Sequence, residues 1–140
     1  MTLRIKERRR SRFHAIQALY QKNISFISIE DLKKQYYEDN YRRYSVDWLF
    51  FSQIIEGSIK NLSDIDKEIY KHISKGKSHI AYVDLSILRL GSYELKTCKM
   101  IPYQVILSEY VRHSKILGSN ESYSFINAML QTLAKKYRNL

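Results

Sequence analysis

The chain has 140 residues, a length that can bury a core without disulfides or metal. Hydrophobic residues make up 44% and charged ones 27%, which excludes a disordered chain, and 24 Lys and Arg against 14 Asp and Glu leave a charge of +10 that suits an anionic partner, nucleic acid or membrane surface. One proline and four glycines are too few turn signals for an all-β fold, and the lone Cys98 excludes an internal disulfide and fits a reducing compartment.

The first predicted element starts in a basic run. Lys6, Arg8, Arg9, Arg10 and Arg12 pass without a break into Phe13-His-Ala-Ile-Gln-Ala-Leu-Tyr20. On one continuous helix Arg8, Arg12 and Tyr20 share a face, Arg9 and Gln17 lie along the neighbouring line, and Ala15, Ala18 and Leu19 form an apolar stripe. Two readings are open for this stretch. It is a solvated, frayed terminus, or it is a helix that buries one stripe and offers arginine, glutamine and tyrosine to a polyanion.

Asn23 to Ile29 reads as a break, after which Ser28 caps a second helix with Glu30 and Asp31 in its first turn. Ile29, Leu32 and Tyr36 keep helical spacing there, whereas Glu38 to Ser45 is polar and loop-like. Asp47 to Leu62 is the most apolar segment and predicts a helix buried on several sides, with Gly57 at a close approach. Ser63 is placed as the next cap, before the four-residue repeat Ile65, Ile69, Ile73. Lys75 to His79 reads as a loop with a glycine stop. Asp84 opens the next helix, marked by Leu85, Leu88 and Leu95 and by a second close contact at Gly91. Pro102 takes a first-turn position, Gly118 ends that helix, and Ser122 caps a last one carrying Ile126, Met129, Leu130, Leu133 and Tyr137. About seven helices without strand alternation predict an all-α chain, taken as one domain over residues 1–140. No apolar run reaches membrane-span length and no signal-peptide core follows the basic start, so a soluble, cytoplasmic protein is expected.

No constellation for catalysis is visible. His14, His72, His79 and His113 are scattered and none pairs with Cys98 at ligand spacing, so neither metal nor cofactor is expected. Lys75-Gly-Lys-Ser78 repeats the end of a phosphate-binding loop, but position 71 is Lys where that pattern needs its first glycine. Lys96 and Lys99 flank Cys98 and could lower its pKa, although a lone cysteine is more often a small core residue. Asp64 and Asp66 point to different helix faces, which suits capping better than paired acid–base work. The chain reads as a binding protein and not an enzyme.

Four motifs then resemble one family in order along the chain. Arg8-Arg-Arg-Ser-Arg-Phe-His-Ala-Ile-Gln-Ala-Leu-Tyr20 resembles the opening of the NusB family. Ile87-Leu-Arg-Leu-Gly-Ser-Tyr-Glu-Leu95, Ile101-Pro-Tyr-Gln-Val105 with Glu109 and Val111, and Ser122-Tyr-Ser-Phe-Ile-Asn127 are similar to its later helices. The likeness is weakest from Ile24 to Tyr44. It implies two packed three-helix bundles plus an extra helix. It also implies a transcription antitermination factor that binds single-stranded boxA RNA of nascent ribosomal transcripts together with NusE, a ribosomal protein, in an RNA polymerase complex. By that resemblance Arg8, Arg9, Arg10, Arg12, Gln17 and Tyr20 belong to an RNA-facing terminus, with Phe125 near the same surface, and Asp84, Arg89 and Glu94 lie in the helix associated with NusE. Four residues depart from the family pattern: Ser108, Tyr110, His113 and Ala128, all expected in packed regions. The same module opens some RNA methyltransferases, but no cofactor motif is present here.

Arginines along phosphates and aromatic faces under splayed bases are how single-stranded RNA is held. If ~3–4 arginines neutralise phosphates, log affinity falls against log salt with a slope of about −2 to −3. Replacing Arg8, Arg9 and Arg12 by alanine is then expected to weaken RNA binding and leave stability untouched. Read without the resemblance, Phe125 is core, Asn127 holds a neighbouring helix end, and Arg89 and Glu94, five apart, each serve a neighbouring helix as readily as a partner. The competing function is a helical interaction module, or a homodimer that hides the basic helix.

Overall fold

A computed structural model describes residues 2–73, 79–118 and 121–140. Among these residues there are seven helices and no strand: α1 Leu3–Ile24, α2 Ile29–Asn40, α3 Trp48–Lys60, α4 Leu62–Lys71, α5 Tyr82–Thr97, α6 Tyr103–Leu117 and α7 Ser122–Arg138. The Lys75–Ser78 pattern lies outside the described residues.

Local chemistry sets the helix ends. The Thr2 hydroxyl accepts from the Ile5 amide at 3.3 Å, so α1 begins before the basic run and carries it inside a helix. Ser28 accepts from the Asp31 amide at 3.1 Å, the cap expected from the sequence, and Asp47 accepts from the Phe50 amide at 2.9 Å. Other boundaries differ. Helix α2 runs on through Glu38 to Asn40, where the Asn40 side chain donates to the Tyr36 carbonyl at 2.8 Å and Tyr37 stacks on Tyr41 four residues along. Asn61, not Ser63, stands at the N-cap of α4, and Ser122 is the first residue of α7 behind Glu121. Asp84 is inside the first turn of α5 with Ala81 at its cap, and Pro102 is the cap of α6. Asn139 closes α7 in the left-handed region, at φ 56°.

Helices α1, α2 and α3 all touch one another, as do α5, α6 and α7, and α4 bridges the two groups through α3, α5 and α7. The α1–α5 and α3–α5 contacts join the groups. This is the two-bundle arrangement with one extra helix. Helix α5 is the axis of the core: every residue from Asp84 to Leu95 is buried, polar ones included. Its neighbours come close where side chains are absent. A Cβ on Gly57 would sit 2.1 Å from Cε1 of Tyr93, and one on Gly91 would sit 2.7 Å from Cδ2 of Leu130. The carboxy-terminal end of α5 is capped from afar, since the Arg138 guanidinium donates to the carbonyls of Leu95, Cys98 and Ile101 at 2.7, 3.1 and 3.0 Å.

Candidate nucleic-acid interface

The arginines of α1 do not stand free. Arg8 lies 3.7 Å from the Asp47 carboxylate and over the Phe50 ring at 4.7 Å. Arg9 grips Glu109 with two parallel bonds, Nε to Oε1 at 3.0 Å and Nη2 to Oε2 at 2.8 Å. Arg10 donates through Nη1 to the Ser45 carbonyl at 2.9 Å and lies over Tyr44 at 5.0 Å. A frayed tail is therefore not what the sequence encodes.

Arg12 goes further inward. Its side chain is 3% exposed and forms a bidentate pair with Glu94, itself fully buried, at 2.8 Å for both bonds. The buried Tyr110 hydroxyl donates to the same carboxylate. Burial works against a charged Arg12, but the Glu94 charge and hydrogen bonds outweigh it and hold the guanidinium protonated above its usual range. Glu109 behaves likewise: burial opposes its charge, yet Arg9 and then Arg12 keep its pKa below the ordinary value. Arg12 thus has no surface to offer a phosphate, because a shared face on an isolated helix does not reveal that α5 packs over that face. The expectation that Arg12 is an RNA contact is corrected to an interior ion pair.

The remaining α1 candidates lie further along the helix. Gln17 is half-buried and its amide donates to the Phe13 carbonyl at 3.3 Å. Tyr20 is 38% exposed at the carboxy-terminal end of α1. Phe125, on α7, is partly buried against the core.

The α5 trio expected to meet a partner protein is turned inward. Glu94 is committed to Arg12. Arg89 clasps Asp66 of α4, Nε to Oδ1 at 2.8 Å and Nη2 to Oδ2 at 2.7 Å, and donates to the Asn23 side chain at 2.9 Å. Asp84 is 7% exposed beside Gly118, where a Cβ would come 3.4 Å from its Oδ1. The central position of α5 leaves each of the three less than a tenth of its surface. Arg89 and Glu94 serve neighbouring helices, as their five-residue spacing allows.

The four departures divide in the same way. Tyr110 and His113 are buried, at 0% and 2% exposure, whereas Ser108 and Ala128 are exposed, so the Ala128 methyl meets no packing constraint. Neither ring nitrogen of His113 has a hydrogen-bond partner, and burial pushes its pKa down to about 4. Cys98 also differs from expectation. Burial and then the Glu94 charge raise its thiol to about 11, the opposite of what its flanking lysines suggest. No group of three or more His, Cys, Asp or Glu that could hold a metal occurs among the described residues, and none of the described helices is long and apolar enough to cross a membrane.

The sequence reading missed the segment between α2 and α3. Its rings and cations close onto α1: His14 accepts or donates at 2.9 Å to the Tyr44 hydroxyl and stacks between Tyr44 and Trp48 at 5.8 and 5.9 Å. Only the aromatic and arginine content of residues 36–48 could have signalled it.

A family model described as "NusB family" matches residues 9–135. The chain is 42% identical over 135 residues to the transcription antitermination protein NusB of Buchnera aphidicola subsp. Cinara cedri (strain Cc), covering 96% of this chain and 94% of that one. Against the protein of the same name from Marinobacter nauticus it is 32% identical over 132 residues, covering 94% and 83%. Among solved structures, T. maritima NusB superposes with a TM-score of 0.80 at 30% identity, covering 92% and 91%. The fold is also that of a chain in a crystal structure of antitermination factors NusB and NusE in complex with dsRNA, with a TM-score of 0.83 at 22% identity, covering 97% and 100%.

Proposed function

The chain belongs to the NusB family of transcription antitermination proteins, and from that membership we propose that it binds single-stranded boxA-type RNA of nascent ribosomal transcripts together with NusE, so that RNA polymerase reads through termination signals. It does this as one RNA-binding unit over residues 1–140, in the cytoplasm, without catalysis or a cofactor. The observation that carries the reading is α1 itself. A helix seated on the core by one face holds Arg8, Arg9 and Arg10 in fixed positions at its rim, so their guanidinium groups are ordered before RNA arrives. Tyr20 supplies an exposed ring for a base, Gln17 a polar contact and Phe125 an aromatic edge.

With Arg12 inside, roughly three phosphates are neutralised from α1, giving a log–log salt slope of about −2. Titrating a boxA-containing strand with and without NusE across a salt series tests this. The expected results are tighter binding with NusE and a flatter slope for the R8A/R10A variant. No RNA binding in either arm, accompanied by stable self-association, would overturn the reading in favour of a dimer that covers α1.

A further inference from the structure

We propose that the connection between α2 and α3 is a second stacking surface for single-stranded RNA, formed by Tyr37, Tyr41 and Tyr44 with Arg42, Arg43 and Arg10. The inference rests on the RNA-binding reading above and extends it to a segment where the family resemblance is weakest.

Three features converge there. First, the rings are large, ordered and open. Tyr37 and Tyr41 stack with centroids 5.1 Å apart and planes 8° apart, and Tyr37, Tyr41 and Tyr44 keep 47%, 42% and 38% of their surface exposed. Most tyrosines in a helical fold lay the ring into the core and leave only the hydroxyl in water; these three keep more than a third of their surface in water.

Second, cations sit on the rings and not on carboxylates. The Arg42 guanidinium lies 5.2 Å from the Tyr41 ring centre and donates to its hydroxyl at 2.6 Å, and Arg10 lies 5.0 Å from the Tyr44 ring centre. Among the described residues neither Arg10, Arg42 nor Arg43 forms an ion pair with a carboxylate, whereas Arg8, Arg9, Arg12 and Arg89 all do. The nearby Asp47 is already engaged by Arg8 and by the cap of α3. An arginine laid on a ring keeps donors at its edge for phosphate oxygens while the neighbouring ring receives a base.

Third, the surface joins α1. Arg10 links the two through the Ser45 carbonyl, and the Tyr44 ring stacks on His14. A strand lying along the α1 arginines can therefore continue onto the tyrosines without crossing an acidic barrier at Asp47. The pairing of Arg12 with Glu94 removes one cation from the α1 edge, and Arg42 and Arg43 add two from elsewhere in the sequence.

The test compares a boxA-type strand with the same strand extended by roughly eight nucleotides, at either end, against the parent, R42Q/R43Q and Y41A proteins. All three substituted residues are exposed, so melting temperatures should match the parent's. The expected results are that extension tightens parent binding, that R42Q/R43Q flattens the salt slope on the extended strand by about 1.4, and that Y41A weakens that strand about fivefold or more. Variants that bind the extended strand like the parent, while the parent does bind RNA, overturn this inference and leave the function reading standing. A parent that binds no RNA overturns both. If R42Q/R43Q instead loses NusE with an unchanged RNA slope, the surface is a protein contact and the inference fails.

Discussion

Replacing Arg12 by alanine separates a structural arginine from an RNA-binding one. Its guanidinium is 3% exposed, makes two 2.8 Å bonds to a carboxylate with no exposure, and lies 5.0 Å from the Phe50 ring centre. Removal leaves Glu94 buried with the Tyr110 hydroxyl as its remaining side-chain partner. Orphaning one member of a buried pair costs about 3–5 kcal/mol, a large share of the ~5–15 kcal/mol that holds a typical domain folded. For a chain of this size the expected drop in melting temperature is on the order of 10–15 °C. Circular dichroism melts of R12A, with R9A as a control whose ion pair water still reaches, measure it; R9A should lose much less. The R12M/E94M double variant should recover much of the loss, because apolar replacement of both partners removes the stranded charge. Measured where R12A is still folded, its RNA affinity and salt slope should equal the parent's. A variant that melts like the parent yet loses RNA binding would refute the placement of Arg12 in the core. The structure thus reverses the expectation that alanine at Arg8, Arg9 and Arg12 spares stability.

His113 tests buried polarity through pH. Its folded pKa of about 4 lies below the usual 6.5, so between those values the unfolded chain takes up a proton that the folded chain refuses. Stability from this residue is complete above about pH 6.5 and is lost as pH falls, by about 2 kcal/mol at pH 5. Urea unfolding of H113L should therefore show a more stable protein at neutral pH and a smaller loss on acidification; equal pH dependence in both proteins would refute it. The glycines on the core helices give a packing test. G57A forces a methyl against the ring of Tyr93, which is held in the core, whereas the methyl of G91A meets one terminal atom of Leu130 that can rotate away. Melts should show G57A as the more damaging change, losing about 1–3 kcal/mol, with G91A partly offset by helix propensity; the reverse order would contradict the packing described.

What could be read from the residues was whatever repeats locally. Helical spacing located all seven helices, and Ser28 was recognisable as a cap because a cap acts within three residues. Gly57 and Gly91 were legible as close approaches because glycine inside an apolar helix has few other uses. Ser63 and Ser122 misled, since several residues near each helix start can cap and the backbone path selects among them. The site was less legible for a different reason. Which face of α1 is covered depends on Glu94 and Glu109, 82 and 97 residues beyond Arg12, and no local pattern carries that information. Residues 41–45 were passed over because polarity without periodicity reads as loop, and only the fold shows Arg10 lying on Tyr44.

The ion pairs that seat α1 also bear on the order in which the protein is made. Arg12 meets Glu94 across 82 residues and Arg9 meets Glu109 across 100, so neither pair can close while only the first helices exist. At translation rates of about 5–20 residues per second, roughly 4–16 s separate the synthesis of Arg12 from that of Glu94. Throughout that interval Arg9 and Arg12 lack their carboxylates beside a surface rich in ribosomal RNA, and closing the long loops must compete with that polyanion. The helix made first therefore gains its two internal ion pairs only once α5 and α6 have been made.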